Sequence, residues 1–288
     1  MHFGTTTNFS RRTFLGTSAA AAAGMALGSS HILAADAQAA PVHDLGGLPM
    51  GVQSYTLRSM RVLDEALDAI QNKLGLSYVE LYPGHLAGKS PAQVKELLAA
   101  HKITVSGWGV VHFGKNIDEN RKLFETAKSM GVPHITCDPT PDAFDNLDKL
   151  TEEYGITADI HDHGPGHHWG KIDVIWEAIK DHSKMIGLCN DTGHFIRAGE
   201  DPLRACEVFG DRIHAMHVKD FKKNEQGKWS DCGLGEGSLN LQALMKWLLA
   251  RNFKGDLSLE YEGENPVEVC QADLGRIAKA VAAAKGAA

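Results

Sequence analysis

Four short hydrophobic segments in the second half of this 288-residue chain each end in a side chain that can bind a metal ion. The four end residues are His161, Asp191, His217 and Glu260. Each segment has the length and apolar character of a buried strand, and a helix-like stretch separates it from the next. A closed barrel of parallel strands opens the carboxyl ends of all its strands onto one face. The pattern therefore predicts a fold and a site at the same time.

Short apolar runs alternate with amphipathic stretches along the whole of residues 40–288. The runs predicted to be strands are 51–56, 78–82, 104–110, 134–138, 157–161, 186–191, 213–218 and 256–261. Strand–helix alternation with short connections indicates parallel pairing and right-handed crossovers. We predict the α/β class and a single-domain (β/α)8 TIM barrel over residues 40–288. The alternative is an open doubly wound sheet, but the G-x-G-x-x-G turn expected after one of its early strands is absent from the sequence.

Residues 1–39 have the composition of an export signal. The stretch Ser10-Arg11-Arg12-Thr13-Phe14-Leu15 precedes an uncharged run rich in Ala and Gly, and Ala37-Gln38-Ala39 offers a small-residue cleavage site. The paired arginines make the segment similar to a twin-arginine signal, which carries folded proteins across a bacterial membrane. A transmembrane anchor is disfavoured, since Ala and Gly contribute little transfer energy. We expect a periplasmic protein with no stable membrane anchor after cleavage.

The overall charge and the cysteines limit the partners of the chain. A formal net charge of −7 argues against nucleic acid and against anionic membranes as partners. The five cysteines are odd in number and include no C-x-x-C pair, so they do not indicate a disulfide framework. The sequence leaves self-association into a homo-oligomer open.

Together, the four strand-end residues have the chemistry of a metal site. His161 and His217 supply imidazoles, while Asp191 and Glu260 supply two carboxylates that balance the charge of a divalent ion. Such mixed ligation suits Mn²⁺, Zn²⁺, Co²⁺ or Fe²⁺ better than Ca²⁺, and Mg²⁺ stays open. A hydrogen-bonded polar strand end explains any one of these residues equally well. Four such residues at the ends of strands in consecutive βα units favour a metal site over unrelated hydrogen-bonded strand ends.

Further polar and aromatic residues are expected near the same face. Glu80, Trp108 and Asp138 lie at or within two residues of the ends of the second, third and fourth predicted strands. Trp108 offers a stacking surface for a sugar ring, with core packing as the alternative. Glu80 could act as a base or bind hydroxyls, with an ion pair as the alternative. Asp138 is a candidate substrate-binding residue.

Three residues in the later segments are also candidates for the site. His194 could bind a substrate hydroxyl or deliver a proton. Lys219 could stabilise an oxyanion, or could simply pair with Asp220. His163 follows the fifth strand in a Gly- and Pro-rich loop, which is either a substrate loop or a solvated connection.

Three motifs resemble the sugar phosphate isomerase/epimerase superfamily, whose fold is the xylose isomerase-like TIM barrel. They are Asn190-Asp191-Thr192-Gly193-His194, His217-Val218-Lys219-Asp220 and Leu259-Glu260-Tyr261, in this order and spacing. The resemblance implies that Asp191, His217 and Glu260 bind the metal. In the epimerases of the superfamily a glutamate on strand five is the fourth ligand and also an acid/base. Here that position is His161, so the proton shuttle of two glutamates is incomplete.

The resemblance implies an enzyme that abstracts a proton next to a carbonyl. The first expectation is a metal-dependent isomerase or epimerase of a keto-sugar, working through an enediolate, with Glu260 as base and Glu80, His194 and Lys219 as further catalytic groups. The alternative is a metal-dependent lyase or hydratase of a 3-keto-glycoside or inosose. Two further hypotheses rank lower: a non-catalytic periplasmic sugar-binding protein, disfavoured because all four ligand positions are retained, and an endonuclease, disfavoured by the acidic charge.

Replacing Arg11 and Arg12 with lysine is expected to block export, because a twin-arginine signal requires the arginine pair. Mass spectrometry of the exported unmodified protein should find an amino terminus near Ala40. Normal export of the lysine variant would contradict the assignment.

Overall fold

Eight parallel strands close into a barrel within residues 43–286, the part of the chain that the computed structural model describes. The signal predicted for residues 1–39 lies outside the described residues. The strands are β1 (Met50–Gln53), β2 (Tyr78–Leu81), β3 (Thr104–Phe113), β4 (His134–Pro139), β5 (Thr157–His161), β6 (Ile186–Asp191), β7 (Ile213–Val218), β8 (Asp220–Lys223), β9 (Trp229–Cys232) and β10 (Asp256–Leu259). Around the barrel β1 to β7 follow in order, and β10 closes the ring between β7 and β1. The predicted (β/α)8 barrel is confirmed.

Helices connect successive strands on the outside of the barrel. They are α1 (Leu63–Asp68), α2 (Pro91–Ala100), α3 (Ile117–Met130), α4 (Phe144–Tyr154), α5 (Ile172–Ile179), α6 (Thr192–Ala198), α7 (Pro202–Phe209), α8 (Leu241–Ala250) and α9 (Pro266–Gly286). A π-helical turn, Ala69–Lys73, continues α1. Within residues 43–286, none of these helices is both long enough and apolar enough to cross a membrane.

The start of α2 shows how local sequence fixes an element. The Ser90 hydroxyl accepts a hydrogen bond from the Gln93 backbone N–H at 3.3 Å, and the Gln93 side chain accepts one from the Ser90 N–H at 2.8 Å. This capping box satisfies two donors that the helix leaves free, and Pro91 suits the first helical position because its φ is preset. The helix then buries Val94 and Leu98 against the barrel.

Aliphatic and aromatic side chains fill the space between the barrel and its helices, whereas several ionisable side chains are buried among the strands. Glu80, Asp159, His217 and Asp256 are each no more than 1% exposed. Asp159 accepts hydrogen bonds from Thr157 Oγ1 at 2.7 Å and from His214 Nδ1 at 2.5 Å. Because a buried charge is costly without partners, such groups need either hydrogen bonds or an ion.

All five cysteines are buried and free, as expected for a chain without a disulfide framework. Burial raises the pKa of Cys206 and Cys232 to about 12 each. The thiols are therefore protonated and packed as small apolar groups.

The β8–β9 hairpin interrupts the strand–helix alternation between β7 and α8, and a glycine-rich loop follows it. The carboxylate of Asp220 accepts backbone N–H bonds of 2.8 to 3.0 Å from Phe221, Gly235, Gly237, Ser238 and Leu239. A Cβ on Gly237 would lie 2.4 Å from Asp220 Oδ1, so glycine is required there. The loop at 233–237 is wrapped around one buried carboxylate.

Replacing Asp220 with alanine should lower the free energy of unfolding by about 2–4 kcal/mol, because five N–H groups lose a charged acceptor. Urea denaturation measures the change. Asp211→Ala is the matched control, since this fully exposed carboxylate pairs with Arg251 at 3.1 Å and its loss should leave the free energy of unfolding nearly unchanged. Equal effects of the two substitutions would show that the Asp220 contacts do not stabilise the fold.

Candidate metal centre and pocket

Four side chains converge at the carboxyl ends of β5, β6, β7 and β10. His161, Asp191, His217 and Glu260 each offer one ligand atom, and these atoms all lie within 4.8 Å of one another. His217 Nδ1 is 3.1 Å from His161 Nε2, 3.7 Å from Asp191 Oδ2 and 2.9 Å from Glu260 Oε2. Asp191 and His217 are direct register partners on neighbouring strands. The structure thus brings together the four residues predicted to bind a metal.

Asp191 occupies the junction between β6 and α6. Its Oδ1 accepts the His194 backbone N–H at 2.7 Å and so caps α6, while its own N–H donates to Asp162 Oδ1 at 2.7 Å. Its Oδ2 remains directed at the other ligands. A Cβ on Gly193 would lie 2.8 Å from Lys219 Cγ and 2.8 Å from the Phe221 ring, so α6 can begin this close to β7 only with glycine.

Glu80 lies behind His217, on the side away from the pocket. Its Oε2 accepts a hydrogen bond from His217 Nε2 at 2.5 Å, and both side chains are buried. Although burial alone would raise it, the pKa of Glu80 is lowered by the neighbouring His217. When Glu80 accepts a hydrogen bond from the Nε2–H of neutral His217, the Nδ1 atom of that ring carries a lone pair that faces the other ligands.

The ammonium of Lys219 is fully buried among three carboxylates. Its Nζ lies 2.6 Å from Glu262 Oε1 and 3.2 Å from both Asp191 Oδ2 and Glu260 Oε1. Burial opposes the charged form, but these carboxylates raise the pKa of Lys219 well above its usual value. Its closest partner is Glu262, so Asp191 and Glu260 keep much of their negative charge for another cation.

The donor set fits a divalent cation. Asp191 Oδ2 and Glu260 Oε2 are buried and accept no hydrogen bond from any described residue. His217 Nδ1 faces both of them as a third acceptor, since Glu80 binds the other ring nitrogen. The single ammonium of Lys219 only partly neutralises the carboxylates of Asp191 and Glu260. Two imidazole nitrogens and two carboxylate oxygens that point at one another form a mixed N/O site, which suits a transition-metal ion.

A cavity of about 320 Å³ opens over this centre. It is lined by Gln53, Tyr55, Tyr82, Gly109, Val110, His161, His163, His194, His217, Glu260 and Glu262. The rings of Tyr55 and Tyr82 meet edge to face with centroids 4.9 Å apart. His163 and His194 are neutral, because burial foremost lowers their pKa values, to about 2 and about 3 respectively.

Several residues expected at the pocket lie elsewhere. Trp108 is 6% exposed and packs in the hydrophobic core, because β3 continues beyond it to Phe113 instead of ending there. Asp138 does not line the cavity, and its Oδ2 lies 3.8 Å from His167 Nε2. Glu80 contacts His217 and Lys219 contacts carboxylates, and neither lines the cavity wall. His163, His194 and Glu260 do line it.

Sequence reasoning missed Glu262, Gln53 and the two tyrosines that line the cavity. Glu262 follows Glu260 by two residues, the spacing that returns a side chain to the same face of an extended segment. That spacing was a usable signal. Tyr55 and Tyr82 gave none, because each follows a strand whose length the sequence overestimated.

Comparisons with known proteins agree with this architecture. Residues 69–284 match the family described as the xylose isomerase-like TIM barrel. Residues 8–28 match the twin-arginine translocation pathway signal sequence, which confirms that prediction and indicates export by this pathway.

Individual relatives are distant. The chain is 25% identical over 146 residues, or 43% of its length, to an inosose dehydratase of Lactiplantibacillus plantarum. It spans about half the length of that relative, 47%. It is 24% identical over 229 residues to a 3-dehydroshikimate dehydratase of Pseudomonas putida, covering 69% of this chain and 36% of the other.

A solved structure of the IOLI protein with a binding zinc atom has the same fold, with a TM-score of 0.61 and 18% identity over 83% of this chain and 96% of the other. The family match covers most of the barrel, including every strand from β2 to β10. The chain therefore belongs to the xylose isomerase-like TIM barrel family.

Proposed function

We propose that the protein is a divalent-metal-dependent lyase that eliminates a β-substituent from an uncharged keto-sugar of the inosose or 3-keto-glycoside type. The proposal depends on how acidic groups are distributed in the cavity. Glu260 and Glu262 both lie just beyond β10, whereas His161 and His163 come from β5 and the loop behind it, three strands further around the barrel. Proton transfer by carboxylate is thus confined to one side.

One-sided proton transfer favours elimination. An epimerase must remove a proton from one face of the substrate and return it to the other, which requires two opposed groups. A single carboxylate can instead take the α-proton and hand it to a leaving oxygen on the same face. Both named relatives are dehydratases, which is consistent with this chemistry.

Glu262 is the proposed proton-transfer group, in place of Glu260. Although burial alone would raise it, Lys219 and His217 hold the pKa of Glu260 far below its usual value, which makes it a good ligand and a weak base. Glu262 is one-third exposed, lines the cavity and is fixed by Lys219 through Oε1. Its other oxygen is available to a substrate.

The reaction proceeds in two steps, proton abstraction and then loss of the β-substituent. Glu262 removes the proton on the carbon next to the carbonyl, and the electron pair of that C–H bond moves toward the carbonyl oxygen. That electron pair then forms the new C=C bond as the C–O bond to the β-substituent breaks, and protonated Glu262 gives the proton to the departing oxygen. A divalent ion held by His161, Asp191, His217 and Glu260 would supply Lewis-acid stabilisation of the charge that develops.

The cavity favours an uncharged substrate. Its lining, within the described part of the chain, includes no lysine or arginine. The nearby Arg58 donates to the Glu262 carbonyl oxygen at 2.5 Å and stacks 4.5 Å over the Tyr55 ring, so its charge is already engaged. A phosphate or carboxylate would meet Glu262 without a free cation, whereas the aromatic faces of Tyr55 and Tyr82 suit a sugar ring.

An isomerase or epimerase, the first expectation from sequence, shares the initial proton abstraction and stays the second candidate. Incubation with an inosose and with 3-keto-glycosides in D₂O distinguishes the two by NMR. We expect an α,β-unsaturated ketone with release of the leaving group. Deuterium in recovered substrate without elimination would favour isomerisation and overturn the lyase proposal.

We also propose that the enzyme works in the periplasm, on sugars that have not been phosphorylated. The twin-arginine signal match at residues 8–28 supports this location. It agrees with a cavity whose described lining holds no free cation for a phosphate.

Glu80→Gln should weaken binding of Zn²⁺ or Mn²⁺ about 10–100-fold, because the carboxylate that orients His217 is lost while all four ligands remain. Competition with a chelator measures the affinity. Glu225→Gln, at an exposed position in the β8–β9 hairpin, removes the same charge and is the control. Unchanged affinity in Glu80→Gln would mean that His217 does not depend on this hydrogen bond for metal binding.

Glu262→Gln should lower kcat about 10²–10⁴-fold and leave the metal content unchanged, because it removes the proton carrier and no ligand. Glu260→Gln should instead weaken metal binding in part, since the amide oxygen still coordinates. Glu264→Gln, exposed two residues further on, is the control. Near-normal turnover by Glu262→Gln would rule out Glu262 as the base.

A further inference from the structure

His194 is held between two groups of opposite chemistry. Its ring nitrogen Nδ1 lies 2.5 Å from a terminal nitrogen of Arg197, one turn further along α6. Its Nε2 lies on the other side of the ring, 3.9 Å from Asp191 Oδ2, and the ring lines the cavity. One nitrogen therefore faces a cation within the fold and the other faces the site.

The guanidinium decides which nitrogen carries the proton. Arginine has only N–H donors and stays protonated in proteins, so the atom it contacts must accept. The Nδ1 atom of His194 is then a lone pair, and in a neutral imidazole the single proton must be on Nε2. A proton on Nδ1 would place two positively polarised hydrogens against each other at 2.5 Å between nitrogens.

The position of Arg197 is itself fixed by packing. Its guanidinium carbon lies 4.7 Å from the centre of the Phe221 ring. On another side the backbone at Gly164 passes so closely that a Cβ there would lie 2.9 Å from the terminal nitrogen NH2. An aromatic ring from β8 and the loop behind β5 therefore confine the guanidinium, and it cannot swing away from His194 without opening one of these contacts.

We propose that Arg197 is a positioning residue that locks His194 in the Nε2–H tautomer, so that His194 presents a hydrogen-bond donor to the substrate. The locked ring donates to the carbonyl or hydroxyl oxygen of the keto-sugar. It cannot act as the general base, and it cannot bind a second metal ion through Nε2. In this tautomer Nε2 of His194 lacks the lone pair that it would need to contribute to a metal site with His161 and His163, whose nitrogens approach within 4.8 Å. The inference concerns the substrate site of the proposed lyase and rests on that function for its catalytic consequence.

The tautomer can be measured without substrate. Long-range ¹H–¹⁵N correlation spectra of the zinc-loaded protein, labelled with ¹⁵N-histidine, distinguish a pyrrole-like from a pyridine-like nitrogen in each ring. The His194 signals are identified by their loss in His194→Gln. We expect a pyridine-like Nδ1 and a pyrrole-like Nε2 in the unmodified protein. The reverse pattern would overturn the proposal, whether or not the enzyme is a lyase.

Two substitutions then test the role of Arg197. Arg197→Met keeps an unbranched apolar stem over Phe221 but removes the donor, and it should give a mixture of both His194 tautomers. Arg197→Lys retains a donor and should keep the Nε2–H form. If the methionine variant keeps a pure Nε2–H form, Arg197 does not set the tautomer. Should that variant fail to fold, the unmodified protein still tests the proposal, because a pyrrole-like Nδ1 in His194 would overturn it.

Kinetics provide the second measurement. Turnover of a 3-keto-glucoside should fall about 10–100-fold in Arg197→Met, mainly in kcat, as is typical when an orienting hydrogen bond is lost. Arg197→Lys should recover most of it. His194→Gln should turn over the substrate faster than His194→Glu, because the glutamine amide can still donate a hydrogen bond and an ionised glutamate cannot. Equal turnover of the Arg197→Met variant and the unmodified enzyme would show that the tautomer of His194 does not affect catalysis.

Discussion

The buried ammonium of Lys219 holds the site together. It lies within 3.2 Å of carboxylates from β6, from the end of β10 and from the segment beyond it. Without it, the buried Asp191 and Glu260 would repel each other and Glu262 would swing into solvent. Because Lys219 only partly neutralises Asp191 and Glu260, both carboxylates face inward, where a divalent ion would complete the charge balance. Barrel closure supplies the framework, and this cation sets the arrangement of the acidic groups inside it.

The barrel and its ligand set could be read from the sequence because both depend on local patterns. Apolar runs of strand length reveal buried parallel strands, and a ligand at the end of a run marks the open face. Once β5, β6, β7 and β10 close side by side, His161, Asp191, His217 and Glu260 have little freedom to lie apart. Four ligand positions therefore followed from strand order alone.

The roles of side chains that contact residues far away in the sequence could not be predicted in this way. Glu80 is 137 residues from His217 in sequence, and no pattern indicates that it accepts a hydrogen bond from the His217 ring instead of facing the cavity. The choice between a stacking surface and core packing for Trp108 stayed open, because nothing in the composition of β3 shows that the strand runs on to Phe113. The β8–β9 hairpin was missed because its sequence is polar and lacks the alternation of a half-buried strand. Side-chain partnership across the barrel is a tertiary property.

The burial of the cysteines affects how the thiols are protected from oxidation during export. A protein that crosses the membrane already folded presents its finished surface to an oxidising compartment, whereas a threaded chain would expose every thiol to oxidants before packing. Here each of the five thiols is enclosed, and burial keeps them protonated and therefore slow to react. For a chain with a twin-arginine signal, folding before export thus protects the five thiols, which in an unfolded chain could form mispaired or intermolecular disulfides.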